Sequence, residues 1–228
     1  MKLLTNKLVT LLPLVTLVML LIDFYLIFIV APEEAAQGLV QKIFYFHVSS
    51  AFAMYVCFLL AGLGAASYLW KKSIFFNALS HAGTSVGLVF CAMVLTSGPI
   101  WARPIWGAWW TWDPRLTTTL ILFLAFFATL MLRHFYGTDP RGRTYAAVMT
   151  LFGVLDIPLI IFAVKLWRGI HPSVLGKENN MPLDMKQTLI FTILTVFSLM
   201  SSLLWLKTRQ LIVQNKLDEL SANANERE

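Results

Sequence analysis

The chain has 228 residues, 58% of them hydrophobic and only 13% charged, with a mean hydropathy of +0.71. Soluble domains carry about 25% charged and 45–50% apolar residues, so a soluble globular domain is excluded and an integral membrane protein is implied. The net charge of +6 comes from basic residues scattered at the ends of apolar runs, where they set topology; this points away from nucleic acid as a partner.

A helix needs roughly 20 apolar residues to cross the hydrocarbon of a bilayer, and six such runs follow in order. The first, 8–30, comes after Lys2 and Lys7 like the start of a signal peptide. It is longer than the roughly 7–15 apolar residues of a signal peptide, so it reads as a retained anchor. The second, 45–70, carries His47 within about a turn of its start, in FYFHVSSA. The third covers 78–100, and the fourth, 117–135, follows a Trp-rich loop at 101–116. The fifth, 145–166, contains Asp156 and Pro158 and leads into WRGIHPSVLG, which holds His171. The sixth, 186–206, ends in the polar tail KTRQLIVQNKLDELSANANERE, expected to be helical and frayed. The expected fold is all-α, one six-span membrane domain over 1–207 with a polar cytoplasmic tail over 208–228. No internal repeat and no Walker A motif occur. Cys57 and Cys91 lie inside apolar runs, and without CxxC or CxxCH there is no zinc knuckle, redox pair or covalent haem attachment.

Orientation follows from the basic residues in the connecting segments. Eleven of the 18 fall on the side of the termini, and seven (Lys42, Arg103, Arg115, Lys165, Arg168, Lys177 and Lys186) fall on the other. The richer side is expected to be cytoplasmic, with both termini inside. With six spans, the segments near 31–46, 101–116 and 167–185 then emerge together on the outer face. His47, the Trp loop and His171 share that face, and His81 and His134 belong to the inner one.

Five of the eight Trp lie between residues 101 and 112. Trp is enriched at membrane interfaces, and Trp70, Trp167 and Trp205, near span ends, need no other explanation. In WGAWWTWDPRLT, residues 106–117, a helix would bring Trp106, Trp109 and Trp110 onto one face at i, i+3 and i+4, with Trp112 beside Trp109. Asp113-Pro114 reads as a helix start, Asp as N-cap and Pro in the first helical position. Arg103 and Arg115 flank the aromatic surface. Arg binds carboxylates bidentately, so the whole suits a planar, apolar ligand with carboxylates at one edge. Haem fits, and so does a quinone with an anionic partner or a lipid headgroup; spacing alone does not separate them. Neutral imidazole is a common axial ligand of haem iron, and His47 and His171 supply two on the face of the Trp loop. Zinc would need three or four ligands, and the outer face offers no third His and no Cys. Asp23 and Asp156 are costly inside a membrane and read first as packing or subunit contacts.

At this point the residues meet a known pattern. WGAWWTWDPRLT resembles the tryptophan-rich WWD motif of haem-handling membrane proteins, and the RLT ending, six spans and length resemble the cytochrome c maturation protein C (CcmC) family, also called haem exporter protein C, over nearly the whole chain. The resemblance implies haem b held non-covalently and transiently at the periplasmic face of a bacterial inner membrane. It implies His47 and His171 as iron ligands, and Trp106, Trp109, Trp110, Trp112 and the motif's Asp113 as cofactor-binding residues. Arg103 and Arg115 are propionate candidates on charge and position. It also implies delivery to the haem chaperone CcmE beside the ATPase CcmA, the membrane subunit CcmB and the small protein CcmD, with no catalysis by this chain. Two other readings compete: a WWD-type cytochrome c haem lyase component, which would need more outer domain than these short loops provide, and a structural permease subunit without a cofactor.

Overall fold

The computed structural model describes residues 2–137, 139–167, 169–171 and 181–225. Arg168 and Lys177, counted above among the outer cations, lie outside the described residues. Helix α1 spans Lys2–Tyr25 and runs into a π-helical turn, Leu26–Val30. A short 3-10 turn, Leu39–Lys42, leads into α2 (Ile43–Lys71). Then come α3 (Ile74–Trp106), α4 (Pro114–Tyr136), α5 (Pro140–Val154), α6 (Asp156–Trp167) and α7 (Leu183–Asn225). The chain is all-α with six segments long and apolar enough to cross a membrane, as the apolar runs predict.

The boundaries differ from the sequence reading in two places. The fifth span is two helices, α5 and α6, not one. Pro158 has no N–H for the carbonyl of Val154, and the Leu155 N–H turns back to Phe152 O at 3.2 Å. Helix α3 runs through Pro99 and Pro104 to Trp106 and stops where Gly107, at φ 74°, donates its N–H to Arg103 O; this is the left-handed cap that glycine adopts without strain. Helix α7 continues past its apolar run through the tail, in keeping with the sequence reading of that segment. Its 43 residues make about 64 Å at 1.5 Å per residue, twice the roughly 30 Å of hydrocarbon.

Helices α2 and α3 form the centre, with α4, α5 and α7 packed around them and α6 against α4. Their axes approach closely because small residues face each other: a methyl group on Gly83 would lie 2.8 Å from the Cys57 carbonyl oxygen, the small-residue packing that membrane helices use. Phe58 of α2 stacks on Phe126 of α4 with centroids 3.8 Å apart. Cys57 and Cys91 are both buried and unoxidised.

Helix α1 is peripheral and is held to α7 by polar pairs. Thr16 Oγ1 lies 2.7 Å from Ser198 Oγ and 3.1 Å from Ser202 Oγ, and Thr192 Oγ1 donates to Asp23 Oδ1 at 2.7 Å. Asp23 thus serves helix packing. At the far end of α1, the buried Lys42 ammonium donates to Ile27 O and Ala31 O, both at 2.7 Å. Its charge caps the carbonyls of the π turn, so it is a structural cation and not the loop charge that the topology tally assumed.

Candidate functional site

The three segments that parity assigns to one face do meet. His47, in the second turn of α2, lies with its ring centroid 6.3 Å from that of His171, with 30° between the ring planes. Trp106, the last residue of α3, stands edge-on to His171 at 6.4 Å. The site therefore draws on the start of α2, the end of α3, the start of α4 and the segment after α6.

His47 is oriented by α3. Its Nδ1 lies 2.9 Å from Ser97 Oγ, and the Ser97 hydroxyl donates to Met93 O at 2.5 Å. The hydroxyl proton is thus committed to the helix carbonyl, so the imidazole Nδ1–H donates to Ser97 and the lone pair sits on Nε2. Ligand histidines are held in this way by a hydrogen bond on the other nitrogen. Gly98 leaves room for the ring: a methyl there would be 3.4 Å from His47 Cε1.

His171 is held differently. Arg115 Nη1 approaches its Nδ1 at 3.2 Å; a guanidinium only donates, so Nδ1 accepts and Nε2 carries the proton. The segment bearing His171 is pinned by Asp113. One carboxylate oxygen of Asp113 accepts the Arg115 N–H at 2.9 Å and so caps α4, while the other accepts the Ile170 N–H at 2.7 Å. Asp113 is buried, and a Cβ on Gly169 would fall 2.6 Å from its Oδ2. Only a glycine admits the loop so close to the carboxylate. The N-cap and first-position Pro expected at Asp113-Pro114 are both present; the link to Ile170 is not visible in the sequence.

The aromatic surface is not the helical face that i, i+3, i+4 spacing predicts. The helix stops at Trp106, the chain turns at Gly107, and Trp112 takes a left-handed φ of 53°. Trp106 meets Trp101 edge-to-face at 5.2 Å, and Trp110 meets Trp112 edge-to-face at 5.9 Å. Trp109 and Trp112 are 58% and 71% exposed, apolar area available to a ligand or to lipid. The indole N–H of Trp110 is buried without a hydrogen-bond partner. Trp101, not singled out from sequence, is anchored by Nε1 donating to Gln37 Oε1 at 2.9 Å. Arg103 donates to the Gly107 carbonyl, so its guanidinium serves the end of α3.

Two imidazoles on opposite sides of one metal ion, each bonded at about 2.0–2.1 Å with the ring centre about 1.2 Å further out, have centroids about 6.4 Å apart. The 6.3 Å between His47 and His171 matches that spacing. Among the described residues no three His, Cys, Asp or Glu side chains gather to hold a metal.

The family model described as Heme exporter protein C matches residues 1–223. Among characterised relatives, the chain is similar to Heme exporter protein C of Bradyrhizobium diazoefficiens, 32% identical over 68% of this chain and 59% of the relative. It is also similar to the proteins of that name from Paracoccus denitrificans, 30% identical over 85% of this chain and 82% of the relative, and from Escherichia coli K12, 27% identical over 80% and 75%. The match thus spans less than two thirds of the Bradyrhizobium protein's length. With the family model matched across nearly all of its residues, this chain belongs to the heme exporter protein C family.

Proposed function

We propose that this protein handles haem for cytochrome c biogenesis by holding it between His47 and His171, on the face where the Trp loop emerges, and by giving it up to a haem chaperone of the CcmE type. The observation that carries this reading is the 6.3 Å between the two imidazoles, the separation that trans axial ligation of one iron requires. Haem is cargo here: its four ring nitrogens complete the coordination that two histidines alone leave open. Trp106 and the exposed Trp109 and Trp112 supply apolar surface for the macrocycle. Asp113, with both oxygens on backbone N–H groups, acts by positioning the His171 segment.

Arg115 has two states in this reading. A neutral His171 that offers Nε2 to iron carries its proton on Nδ1, and that N–H cannot face a guanidinium. Loading therefore turns Arg115 away from His171, which frees it for a propionate carboxylate. Arg103 reaches a propionate only by leaving the Gly107 carbonyl. With Lys42 set aside, eleven basic residues on the side of the termini against six on the other favour both termini in the cytoplasm and the site facing the periplasm of a bacterial inner membrane. CcmA, CcmB and CcmD are the expected companions, ATP hydrolysis lying on CcmA. The chain itself is a carrier and not a lyase.

The test is the absorption spectrum of the detergent-purified chain with haem added. A low-spin spectrum is expected, and both His47→Ala and His171→Ala should shift it toward high-spin and impair transfer. His134→Ala should change neither. Unchanged low-spin spectra in both site variants would remove the ligand assignment, and no chromophore at all would favour a purely structural subunit.

A further inference from the structure

At the opposite end of the bundle from the histidines, basic side chains collect with neutral partners. Arg133 of α4 donates to Asn77 Oδ1 at 2.8 Å and to Ser80 Oγ at 3.2 Å, and its Nε is buried without a hydrogen bond. Arg143 donates to Asn215 Oδ1 at 3.0 Å, and Lys207 to Gln210 Oε1 at 3.3 Å. Arg209 lies over the Trp205 ring at 5.8 Å, with a buried Nη1 that has no hydrogen-bond partner. His81 lies within electrostatic reach of both Arg133 and Lys207. Positive charge in a membrane protein is costly where nothing balances it, and among the described residues these cations have neutral hydrogen-bond partners, with Arg133 Nε and Arg209 Nη1 left unsatisfied.

An apolar cleft leads to this cluster along the lipid-facing seam between α3 and α7. Val86, Val89, Leu203 and Leu206 line it, with Ser85, Lys207 and Gln210 at the same place. A second depression continues it past Leu206 and Gln210 toward Arg209. An apolar seam that opens onto these cations has the form of an acyl chain with an anionic head. Basic pockets between membrane helices are known to take anionic lipid headgroups.

We infer that the α3–α7 seam binds one anionic phospholipid, its acyl chain along Val86, Val89 and Leu203 and its phosphate at Lys207 and Arg209, in the leaflet opposite the histidine site. The occupant is a lipid because the seam is apolar and faces outward, whereas a free phosphate would use only the cations. The site stands independently of haem binding.

The experiment uses the full chain in nanodiscs of phosphatidylcholine doped with phosphatidylglycerol, with retained lipids counted by native mass spectrometry. The wild-type chain should retain phosphatidylglycerol preferentially, and Lys207→Gln and Arg209→Gln should each lower that preference about fivefold. Val89→Trp, which fills the seam and leaves both cations, should reduce retention of either lipid. A photocrosslinker at Val89 in intact membranes should yield lipid adducts. The inference fails if wild type retains both lipids equally, if Lys207→Gln and Arg209→Gln both keep its preference, if inorganic phosphate displaces the lipid, or if the Val89 adduct is a polypeptide.

Discussion

In the proposed haem site, His47 and His171 differ in what holds the nitrogen turned away from the iron, and that difference has measurable consequences. Ser97 fixes His47 with its lone pair on Nε2. Outer partners of this kind are worth about 10–100-fold in metal affinity. Ser97→Ala should therefore weaken haem binding by about 10–100-fold in an absorbance titration, and Ser97→Thr, which keeps the hydroxyl, should retain most of it. An unchanged affinity in Ser97→Ala would mean that packing, not the hydrogen bond, orients the ring. Gly169 offers a second test at this scale. A methyl there would press on Asp113 Oδ2, so Gly169→Ala should break the Ile170 bond and leave the α4 cap intact, whereas Asp113→Ala should lose both. Loss of an N-cap costs about 0.5–2 kcal/mol, so Asp113→Ala should lower the unfolding temperature more than Gly169→Ala, with haem retention reduced in both. Thermal unfolding and spectra of the two variants, compared side by side, check this.

Among elements, α1 is the least integrated; its attachment to α7 is polar, and Phe24 also packs on Phe46 of α2. Interhelical hydrogen bonds in membranes average about 0.6 kcal/mol, so Thr192→Val should loosen α1 only slightly. Combining it with Thr16→Val, which removes the contacts to Ser198 and Ser202, should free the helix from α7. Protease access to the α1–α2 connection reports this; equal protection in the double variant would assign the docking to Lys42 instead. The helices also show where a sequence can be read. Apolar length was enough to find six spans, because backbone hydrogen bonds in lipid must be satisfied within the segment. Asp113-Pro114 declared its own cap for the same local reason. Spacing failed at Trp106–Trp112 because Gly107 ends the helix before the periodicity begins. Pro158 was visible, yet an apolar run says nothing about whether its helix is continuous. The Ser97–His47 and Asp113–Ile170 contacts join residues 50 and 57 positions apart, and no local pattern encodes such distances.

For the whole molecule, the shared face of His47, Trp106 and His171 was a consequence of parity alone, and the geometry brings them together. Cys57 and Cys91 are buried, which makes single-cysteine labelling practicable. A cysteine at Ala108 should react with an impermeant reagent from outside, and one at Lys72 should react only after the membrane is opened. The reverse pattern would invert the molecule and place the histidine site in the cytoplasm.

The Asp113 clamp has a further kinetic meaning. Under the proposed ligation, because one carboxylate holds both the start of α4 and the backbone beside His171, the second imidazole is not free to diffuse away once the first has bonded. Its effective concentration is set by the tether, so the pair behaves as a chelate, and escape requires two bonds to open in sequence. A partner that replaces one imidazole at a time lets the cargo change hands without passing through solvent. Loosening the clamp should then increase spontaneous loss of haem more than it changes the rate of directed transfer.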